Sequence, residues 1–473
     1  PPAPAVTAPS HDGAQGRVMR EILETAFRRA LAGADPVELT GQALPEERPD
    51  LILAVGKAAL PMLRAASERF PGVPWLATPP AGPANAGGGG ENGTSDGASE
   101  VLPGSHPLPD ETSVRAARRA LQLAEALGPG DLVLLLVSGG ASALWSAPQG
   151  VTLEEKRALT THLQRAGASI SELNTVRRHL SRVKGGGLLA ATKAKVLSLV
   201  LSDVPGDAPW DVGSGPGASD PTTFEDALDV MKRFPGGSSA ATEHLRQGAS
   251  GGVPETVKPG SEPDARSHFR IVGSSQTLLR GAATYLEREM GVQAIQLHHD
   301  LEGEARILAQ RHAQLAGAIL SGEDPRPLLP ILAADPPYTA WRLARLNRSQ
   351  PLALLSGGEA TVTVTGGGRG GRNQEFALAL ALALRESRGA AGAWALSAGS
   401  DGVDGSSDAA GAFVTPDTLD RGAAIGLDAR RALERNDSHS YFHALGDQLI
   451  TGPTGHNLND LRVVILPPPA SDT

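Results

Sequence analysis

The sequence predicts an α/β fold in both halves of the chain, and three observations support that prediction. Short apolar runs of strand length alternate with stretches of helical periodicity, which is the order found in layered α/β proteins. The strongest run, DLVLLLV at 131–137, is apolar along nearly its whole length, as in a parallel strand with helices on both faces. The chain has 473 residues, 40% hydrophobic and 20% charged, which is enough for two or three folded domains.

The first half begins with a predicted helix. Residues 1–16 are rich in Pro and Ala and predict a disordered tail, after which apolar residues recur every three or four positions over 18–31. The apolar run 51–55 predicts a buried strand that is followed by a tight turn and a helix. Residues 79–100 are Gly-rich and lack apolar periodicity, so they predict a flexible surface insertion.

The alternation continues to the end of the chain. In the first half we predict helices near 112–127, after the capping box Thr152–Glu155 and near 171–183, and a strand from 195. In the second half we predict strands at 269–273, 294–299, within 352–365, from 394 and at 462–469, and helices ending near 290, starting near 303 and spanning 373–386. The Gly-, Ser- and Pro-rich stretch 235–267 predicts a boundary, with domains at 17–240 and 268–467 and a linker at 241–267.

Composition excludes several classes of chemistry. The chain has no Cys, which excludes disulfides, thiolate catalysis and thiolate metal sites and is compatible with a reducing cytoplasm. A net charge of −9 and an aromatic content of 3% argue against nucleic-acid partners. We find no apolar run of about 18 residues and no signal-peptide pattern at the start, so we predict a cytoplasmic protein without a membrane partner.

Five predicted strands end in loops of small residues. These loops are Gly56-Lys57, Ser138-Gly139-Gly140, Ser202-Asp203, Ser356-Gly357-Gly358 and Gly399-Ser400-Asp401. Ligands of open α/β sheets bind beyond the carboxyl ends of strands, where small residues and helix N-termini expose backbone N–H groups to anions. Any one such loop is ordinary for a strand–helix connection, but five in one chain favour an anion-binding site.

Lys57 directly follows the strand at 51–55, which aims a compact positive charge at the ligand edge of the sheet. The alternative is a solvated surface lysine. The loop is not a Walker motif, since that motif requires Gly at position 51 and Ser or Thr at 58, where this chain has Leu51 and Ala58.

The segment GGGRGGRNQE at 366–375 is the densest signal, because it combines five glycines with Arg369 and Arg372 ahead of a helix. Such a loop suits a polyphosphate or a transferring phosphoryl group. Its glycines also match G-x-G-x-x-G, so a dinucleotide site is an alternative, although two arginines and an acid as distant as Asp401 argue against it. A flexible glycine tether is the third interpretation.

Asp203 and Asp401 follow two predicted strands and are candidates for Mg²⁺ ligands or for a base that orients a hydroxyl. The neighbouring Asp207, Asp404 and Asp408 face the same choice. Aspartate is also a common turn former and helix cap, so a structural role is an equally good interpretation.

Eight ordered motifs together resemble the class II glycerate kinases (the MOFRL family). They are GSHPLPD (104–110), LLLVSGGASAL (134–144), SRVKGGGLL (181–189), LSDVPGD (201–207), SGGEATVTV (356–364), GGRNQEFAL (370–378), SAGSDGVDG (397–405) and TGPTGHNLNDL (451–461). The resemblance runs over 17–466. It departs from the family pattern at 79–100, at 235–263 and at His456, where we expect a small hydroxyl residue.

The resemblance implies two three-layer α/β/α domains, the first with a mostly parallel Rossmann-like sheet and the second with a mixed sheet, and an active site in the cleft between them. It implies transfer of phosphate from ATP, with Mg²⁺, to the 2-hydroxyl of D-glycerate, and a homodimer is compatible with it. Lys57 and Arg372 match the family's catalytic cations, and Asp203 and Asp401 are the metal candidates. The substrate- or phosphate-binding candidates are His106, Ser138, Gly139, Gly140, Lys184, Gly357, Gly358, Gly368, Arg369, Gly370, Gly371, Asn373 and Glu375. Two alternatives stay open, namely an NAD(P)H-dependent hydroxypyruvate reductase and a non-catalytic binder of sugar acids or nucleotides.

Overall fold

The computed structural model describes residues 13–82 and 99–468. They form two compact units, one of residues 36–274 and one of residues 275–468 together with the helix before residue 36. Most of the predicted tail 1–16 and of the predicted insertion 79–100 lies outside the described residues. Within the described part, no helix combines the length and the apolar character that crossing a membrane requires.

The elements are numbered in chain order. The helices are α1 (Ala14–Ala32), α2 (Pro36–Ala43), α3 (Ala59–Arg69), α4 (Glu111–Glu125), α5 (Ala141–Leu144), α6 (Leu153–Arg165), α7 (Ile170–His179), α8 (Gly187–Ala191), α9 (Phe224–Arg233), α10 (Ser239–Ala249), α11 (Ser275–Arg288), α12 (Ala305–Ser321), α13 (Leu329–Leu332), α14 (Pro336–Leu343), α15 (Arg372–Glu386), α16 (Thr418–Ala424), α17 (Ala429–Glu434) and α18 (Ser438–Leu445). The strands are β1 (Leu51–Val55), β2 (Trp75–Thr78), β3 (Glu100–Val101), β4 (Leu132–Val137), β5 (Lys195–Leu201), β6 (Ser267–Gly273), β7 (Gln293–Gln296), β8 (Gly303–Glu304), β9 (Leu352–Ser356), β10 (Ala360–Thr361), β11 (Trp394–Gly399), β12 (Gly411–Val414), β13 (Gln448–Leu449) and β14 (Asp460–Leu466).

The unit of residues 36–274 contains a six-stranded sheet in the order β3-β2-β1-β4-β5-β6, and every pair in it is parallel. This is the doubly wound order, which confirms the predicted Rossmann-like sheet. All residues of β1 and β4 are buried, as their continuous apolar runs predict. The strand order reverses between β1 and β4, so the loops after these two strands lie at the point where such sheets bind ligands.

The other unit contains a mixed sheet in the order β13-β12-β11-β14-β9-β7. Only β7 and β9 pair in parallel, and the remaining pairs are antiparallel, which confirms the predicted mixed sheet. Its core is built on α12 and α15, whose residues Leu308, Phe376 and Leu380 are buried in one apolar cluster. Of the two short strands predicted within 352–365, the second is β10, which ends at Thr361 and pairs in parallel with β8.

The predicted domain boundaries need correction in two places, before residue 36 and between residues 241 and 274. Helix α1 belongs with the unit of residues 275–468, because it packs so closely on α11 that a Cβ at Gly281 would lie 2.9 Å from the Ala30 Cα. The predicted linker contains most of α10, which buries Leu245 and is capped by the Ser238 hydroxyl. Strand β6, predicted to open the second domain, instead pairs with β5 at the edge of the first sheet.

Candidate active site

The loops after β1 and β4 are locked together by main-chain geometry. The Lys57 N–H donates to the Gly139 carbonyl at 2.8 Å, and the Ala58 N–H donates to the Ser138 hydroxyl at 2.9 Å. Gly56 has a φ of 125°, and a Cβ there would lie 2.1 Å from the Ser138 Oγ, so only glycine fits. The structure therefore brings Lys57, Ser138 and Gly139 together, as the sequence predicts for the carboxyl ends of neighbouring strands.

His106 joins this group from the segment that precedes α4. A Cβ on Gly140, which has a φ of 86°, would lie 3.0 Å from His106 Cδ2 and 3.6 Å from Lys57 Cγ. Burial, followed by the positive charge of Lys57, lowers the pKa of His106 below its ordinary value of 6.5. At neutral pH this imidazole is therefore uncharged and able to both donate and accept a hydrogen bond.

A cavity of about 160 Å³ opens beside these residues, within the unit of residues 36–274. Its polar lining includes the predicted residues His106, Gly140 and Lys184, the hydroxyl residues Ser142, Ser146 and Thr160, and three cations that the sequence analysis missed, namely Lys156, Arg157 and Arg177.

Two lysines of the cavity are almost completely buried. Lys184 is 3% exposed, and its Nζ donates to the Ser142 carbonyl at 2.6 Å and to the Ser142 hydroxyl at 3.0 Å. Lys156 is 5% exposed, and its Nζ donates to the Leu180 carbonyl at 2.9 Å. Burial, with a further contribution from Arg177, lowers the pKa of Lys156 to about 7. The pKa of Lys184 also lies well below its ordinary value because of burial and the charges of Lys156 and Arg177.

A sequence signal for the missed cations existed. Lys156 lies three, four and seven positions before Leu159, Thr160 and Leu163, so it falls on the buried stripe of the amphipathic helix α6. A lysine on such a stripe is unusual, because burial disfavours an uncompensated charge. The position of Lys156 within that stripe therefore indicates a buried charge from the sequence alone.

Arg372, the first residue of α15, is held by two carboxylates. Its Nε contacts Asp460 at 2.9 and 3.0 Å, and its NH1 contacts Glu359 at 2.8 Å. Burial acts to lower the pKa of Arg372, but the charges of Asp460 and Glu359 outweigh it and raise the pKa above its ordinary value. The guanidinium is thus a fixed, permanently charged group.

The N-terminus of α15 is occupied by the protein itself. Asp404 accepts hydrogen bonds from the N–H groups of Asn373 at 2.8 Å and Gln374 at 2.9 Å. Burial raises the pKa of Asp404 although these two amides act to lower it. A buried carboxylate therefore occupies the position that a ligand anion would take at the start of this helix.

The glycine-rich loop 366–371 is shaped by close packing on neighbouring chain segments. The Gly368 N–H donates to the Arg435 carbonyl at 2.9 Å, and a Cβ on Gly368 would lie 2.4 Å from the Asp437 Cβ. A Cβ on Gly370 would lie 2.5 Å from the Ser438 hydroxyl, and one on Gly371 would lie 2.4 Å from Asp404. These glycines are therefore required by the fold, whether or not a ligand approaches the loop.

The remaining candidates in this loop divide between surface and interior. The side chain of Arg369 is exposed, and the backbone N–H of Arg369 donates to the Asp437 carboxylate at 3.1 Å. Asn373 is buried and donates to Asp460 at 2.9 Å. Glu375 is buried in an ion pair with Arg306 at 2.7 Å. Asn373 and Glu375 were expected to bind substrate, but their side chains are engaged in interior hydrogen bonds and ion pairs.

Gly357 and Gly358 follow β9 and pack against the segment 298–301. A Cβ on Gly357 would lie 2.8 Å from the His299 carbonyl, and one on Gly358 would lie 2.2 Å from the Leu301 nitrogen. The Gly357 carbonyl accepts a hydrogen bond from the buried Arg462 at 2.8 Å. Close backbone packing explains both glycines.

The two metal candidates lie in different units. Asp203 is half-buried after β5, and Asp401 is half-buried after β11, where its Oδ1 accepts the Val403 N–H at 3.1 Å. Residues 13–82 and 99–468 contain no cluster of three or more His, Cys, Asp or Glu side chains suited to a metal ion. Mg²⁺ bound with a nucleotide needs only one or two carboxylates besides phosphates and water, so single aspartates of this kind fit that donor set.

A larger cavity of about 630 Å³ lies in the unit of residues 275–468. Leu352 and Gln293, at the amino ends of β9 and β7, help to line it, and its lining includes none of the predicted site residues. Ligands of α/β sheets bind at the carboxyl ends of strands, so the smaller cationic cavity is the better candidate for the reaction site.

Comparison with known proteins identifies the family. Residues 22–246 match a family described as a domain of unknown function (DUF4147), and residues 352–460 match the MOFRL family. A D-glycerate 2-kinase of Thermotoga maritima is 36% identical over 95% of this chain and 98% of its own length. A crystal structure of a glycerate kinase from Thermotoga maritima superposes with a TM-score of 0.79 at 34% identity and covers 95% of this chain and 100% of that one.

One relative has a different name. A protein of Agrobacterium vitis that is provisionally named a hydroxypyruvate reductase is 39% identical over 94% of both chains. Both kinds of relative span nearly the whole chain, and so does the glycerate kinase structure. The eight motifs, the fold and these relatives agree, and the chain belongs to the class II glycerate kinase family.

Proposed function

We propose that this protein transfers a phosphoryl group from ATP to the 2-hydroxyl of D-glycerate, giving 2-phosphoglycerate and ADP. The observation that supports it is the gathering of Lys57, His106 and Gly140 at the switch point of the parallel sheet, beside a cavity lined by buried cations. Anionic reactants require such a site, and the Thermotoga maritima relative is named for this reaction.

The proposed mechanism relies on positioning and charge. Phosphoryl transfer needs little covalent chemistry from the protein, and catalysis comes mainly from placing the reactants and stabilising negative charge. Lys57 is held in place by its N–H bond to Gly139, and we assign it to the charge of the transferring group. Arg372, fixed by Asp460 and Glu359, is the second proposed catalytic cation. The uncharged His106 is suited to hydrogen-bond a hydroxyl of the acceptor.

ATP would arrive with Mg²⁺, which neutralises phosphate charge during transfer. Asp203 and Asp401 are the residues proposed to hold the ion. We also propose that the protein is cytoplasmic and that it forms a homodimer.

The reductase alternative has weaker structural support. In a dinucleotide-binding sheet the G-x-G-x-x-G fingerprint follows β1, but here β1 is followed by Gly56-Lys57-Ala58. The formal match at 366–371 belongs to the other unit, where Asp404 and Asp437 fill the space beside its glycines. Close packing at Gly368 and Gly371 therefore argues against a pyrophosphate at these two glycines.

The test is to incubate the purified protein with D-glycerate, ATP and Mg²⁺, measure ADP, and identify the phosphorylated carbon by NMR. We expect ADP and 2-phosphoglycerate in equal amounts. A Lys57→Met variant should lose turnover, whereas Lys232→Met, at an exposed lysine on α9 paired with Asp229, should keep it. NADH oxidation with hydroxypyruvate in the absence of ADP formation would overturn the proposal in favour of a reductase, and ligand binding without turnover would favour a binding protein.

A further inference from the structure

The cavity beside His106 is lined by an unusual concentration of basic side chains. We call Lys156, Arg157, Arg177 and Lys184 the cationic cluster. Lys156 and Lys184 are more than nine-tenths buried, and their ammonium groups bond only to neutral oxygens of Leu180 and Ser142. Within residues 13–82 and 99–468, no carboxylate lies within ion-pair distance of any member of the cluster.

The neighbouring residue shows how this fold treats a structural cation. Arg178 is 1% exposed and contacts Asp211 at 2.8 Å and Asp220 at 3.0 Å. Its charge is thus neutralised within the protein, as buried charges usually are. Arg177, one position earlier on α7, lines the cavity instead and has no such partner in the described chain. The contrast indicates that the counter-charge of the cluster comes from a ligand.

The size of the cavity restricts that ligand. Drug-sized and cofactor-sized ligands occupy pockets of about 300 to 1,000 Å³. The cavity of about 160 Å³ is too small for a nucleotide, but a three-carbon acid suits it. The hydroxyls of Ser142, Ser146 and Thr160 add groups that hydrogen-bond the oxygens of such an acid.

We propose that the cationic cluster binds the carboxylate of the three-carbon acceptor acid and thereby fixes which end of the acceptor faces the phosphoryl donor. This inference rests on the proposed function. His106 and Gly140 form the wall of the cavity nearest to Lys57, so an acid anchored on Lys156, Arg177 and Lys184 extends its hydroxyl end toward Lys57. The cluster then acts in binding and selectivity, and Lys57 acts on the transferring group.

The test measures the two substrates separately in the full chain. We choose Lys156→Met and Arg177→Gln, with Lys232→Met as the control. A hydrogen bond to a charged group contributes about 1.5–3 kcal/mol, which is about a 10- to 100-fold change in affinity. We therefore expect KM for D-glycerate to rise by about 10- to 100-fold in each cluster variant while KM for ATP stays within about twofold. Glycerol, which lacks the carboxylate, should be an equally poor acceptor for every variant.

Direct binding gives a second readout that does not depend on turnover. Calorimetric titration of D-glycerate without ATP should show binding to the wild type and to Lys232→Met and a matching loss in both cluster variants. Circular dichroism checks that each variant is folded. If Lys156→Met does not fold, Arg177→Gln still tests the proposal.

Two results would overturn the inference and leave the kinase function standing. One is a rise in KM for ATP with KM for D-glycerate unchanged, which would assign the cluster to the phosphoryl donor. The other is wild-type affinity for D-glycerate in both folded cluster variants. A wild-type protein that neither binds nor phosphorylates D-glycerate would instead overturn the proposed function, and this inference with it.

Discussion

Replacing Lys156 with methionine should stabilise the ligand-free protein at neutral pH. Methionine keeps most of the length of the side chain and removes the buried charge. Burial lowers the pKa of Lys156 from 10.5 to about 7. At 1.36 kcal/mol per pH unit, this difference means that charging the buried ammonium opposes folding by up to about 5 kcal/mol.

The sign of the pH dependence follows from the direction of the shift. Above pH 10.5 the lysine is neutral in both the folded and the unfolded chain, so no penalty exists. The penalty grows as the pH falls toward 7 and is complete below that, because only the unfolded chain binds the proton freely. Arg177 on α7, Lys184, His106 and Arg157 on α6 itself line the same cavity, and Arg177 adds to the shift.

The hydrogen bond from Lys156 to the Leu180 carbonyl opposes this gain. Its loss costs about 1–3 kcal/mol, since the carbonyl is left buried. We therefore expect Lys156→Met to raise the free energy of unfolding by about 2–4 kcal/mol at pH 7 and to leave it unchanged or lower at pH 10. For a unit of this size each kcal/mol corresponds to about 2–4 °C in Tm.

Differential scanning calorimetry at pH 7 and pH 10 measures this effect, and Lys232→Met is the control for removal of an exposed lysine. Saturating D-glycerate should reverse the order at pH 7, because it stabilises only the protein that binds it. A variant that is destabilised equally at both pH values would refute the reasoning, since the charge of Lys156 would then contribute nothing to the free energy of folding.

Three further outcomes are expected. Lys57→Ala and Arg372→Ala should each lower kcat by about 10²–10³, by analogy with the loss of one donor to a developing charge, and near-wild-type kcat in both would remove them from the catalytic machinery. Gly140→Ala should lower kcat/KM for D-glycerate, because the left-handed φ of 86° and the contact with His106 both oppose a side chain, and unchanged kinetics would place the acceptor elsewhere. Asp404→Ala should lower the free energy of unfolding by about 1–2 kcal/mol in a urea titration, because α15 loses its cap, whereas Asp408→Ala, at an exposed position in the same loop, should not.

Local patterns in the sequence were sufficient for much of the fold. The strands β1 and β4 are buried on both faces, so their apolar runs identify them without knowledge of their neighbours. The capping box at Thr152 and Glu155 also marks the start of α6 in the sequence, because both of its hydrogen bonds are local. The meeting of Lys57 with Ser138 and Gly139 could also be predicted, because parallel strands gather their carboxyl ends at one edge.

Long-range pairing could not be predicted in this way. Strand β6 has the same apolar character whichever sheet it joins, and only its register with β5 assigns it to the first one. Helix α1 is recognisable as an amphipathic helix, but its partner α11 lies about 250 positions later in the sequence. Periodicity indicates which face of a helix or strand is buried, but it does not identify the element that packs against that face.

The glycines show a second limit of sequence reasoning. A loop such as 366–371 is compatible with close approach to a ligand or with close approach to another part of the same chain. Here a Cβ at Gly368 or Gly371 would meet Asp437 or Asp404, so protein packing alone accounts for these residues. The sequence contains both aspartates, but nothing local reveals that they lie against the loop.

The two arginines of the TVRRHL segment connect these points to function. Arg177 and Arg178 are adjacent and chemically identical, and only the fold gives Asp211 and Asp220 to one of them. The fold neutralises Arg178 but gives Arg177, Lys156 and Lys184 no carboxylate partner in its described part. Burying these basic groups therefore lowers the stability of the unliganded protein. An anionic acceptor removes that penalty when it binds, so the charges that destabilise the free protein are the same ones that select a carboxylate. Stability that rises and affinity that falls in one and the same variant would be the signature of this coupling.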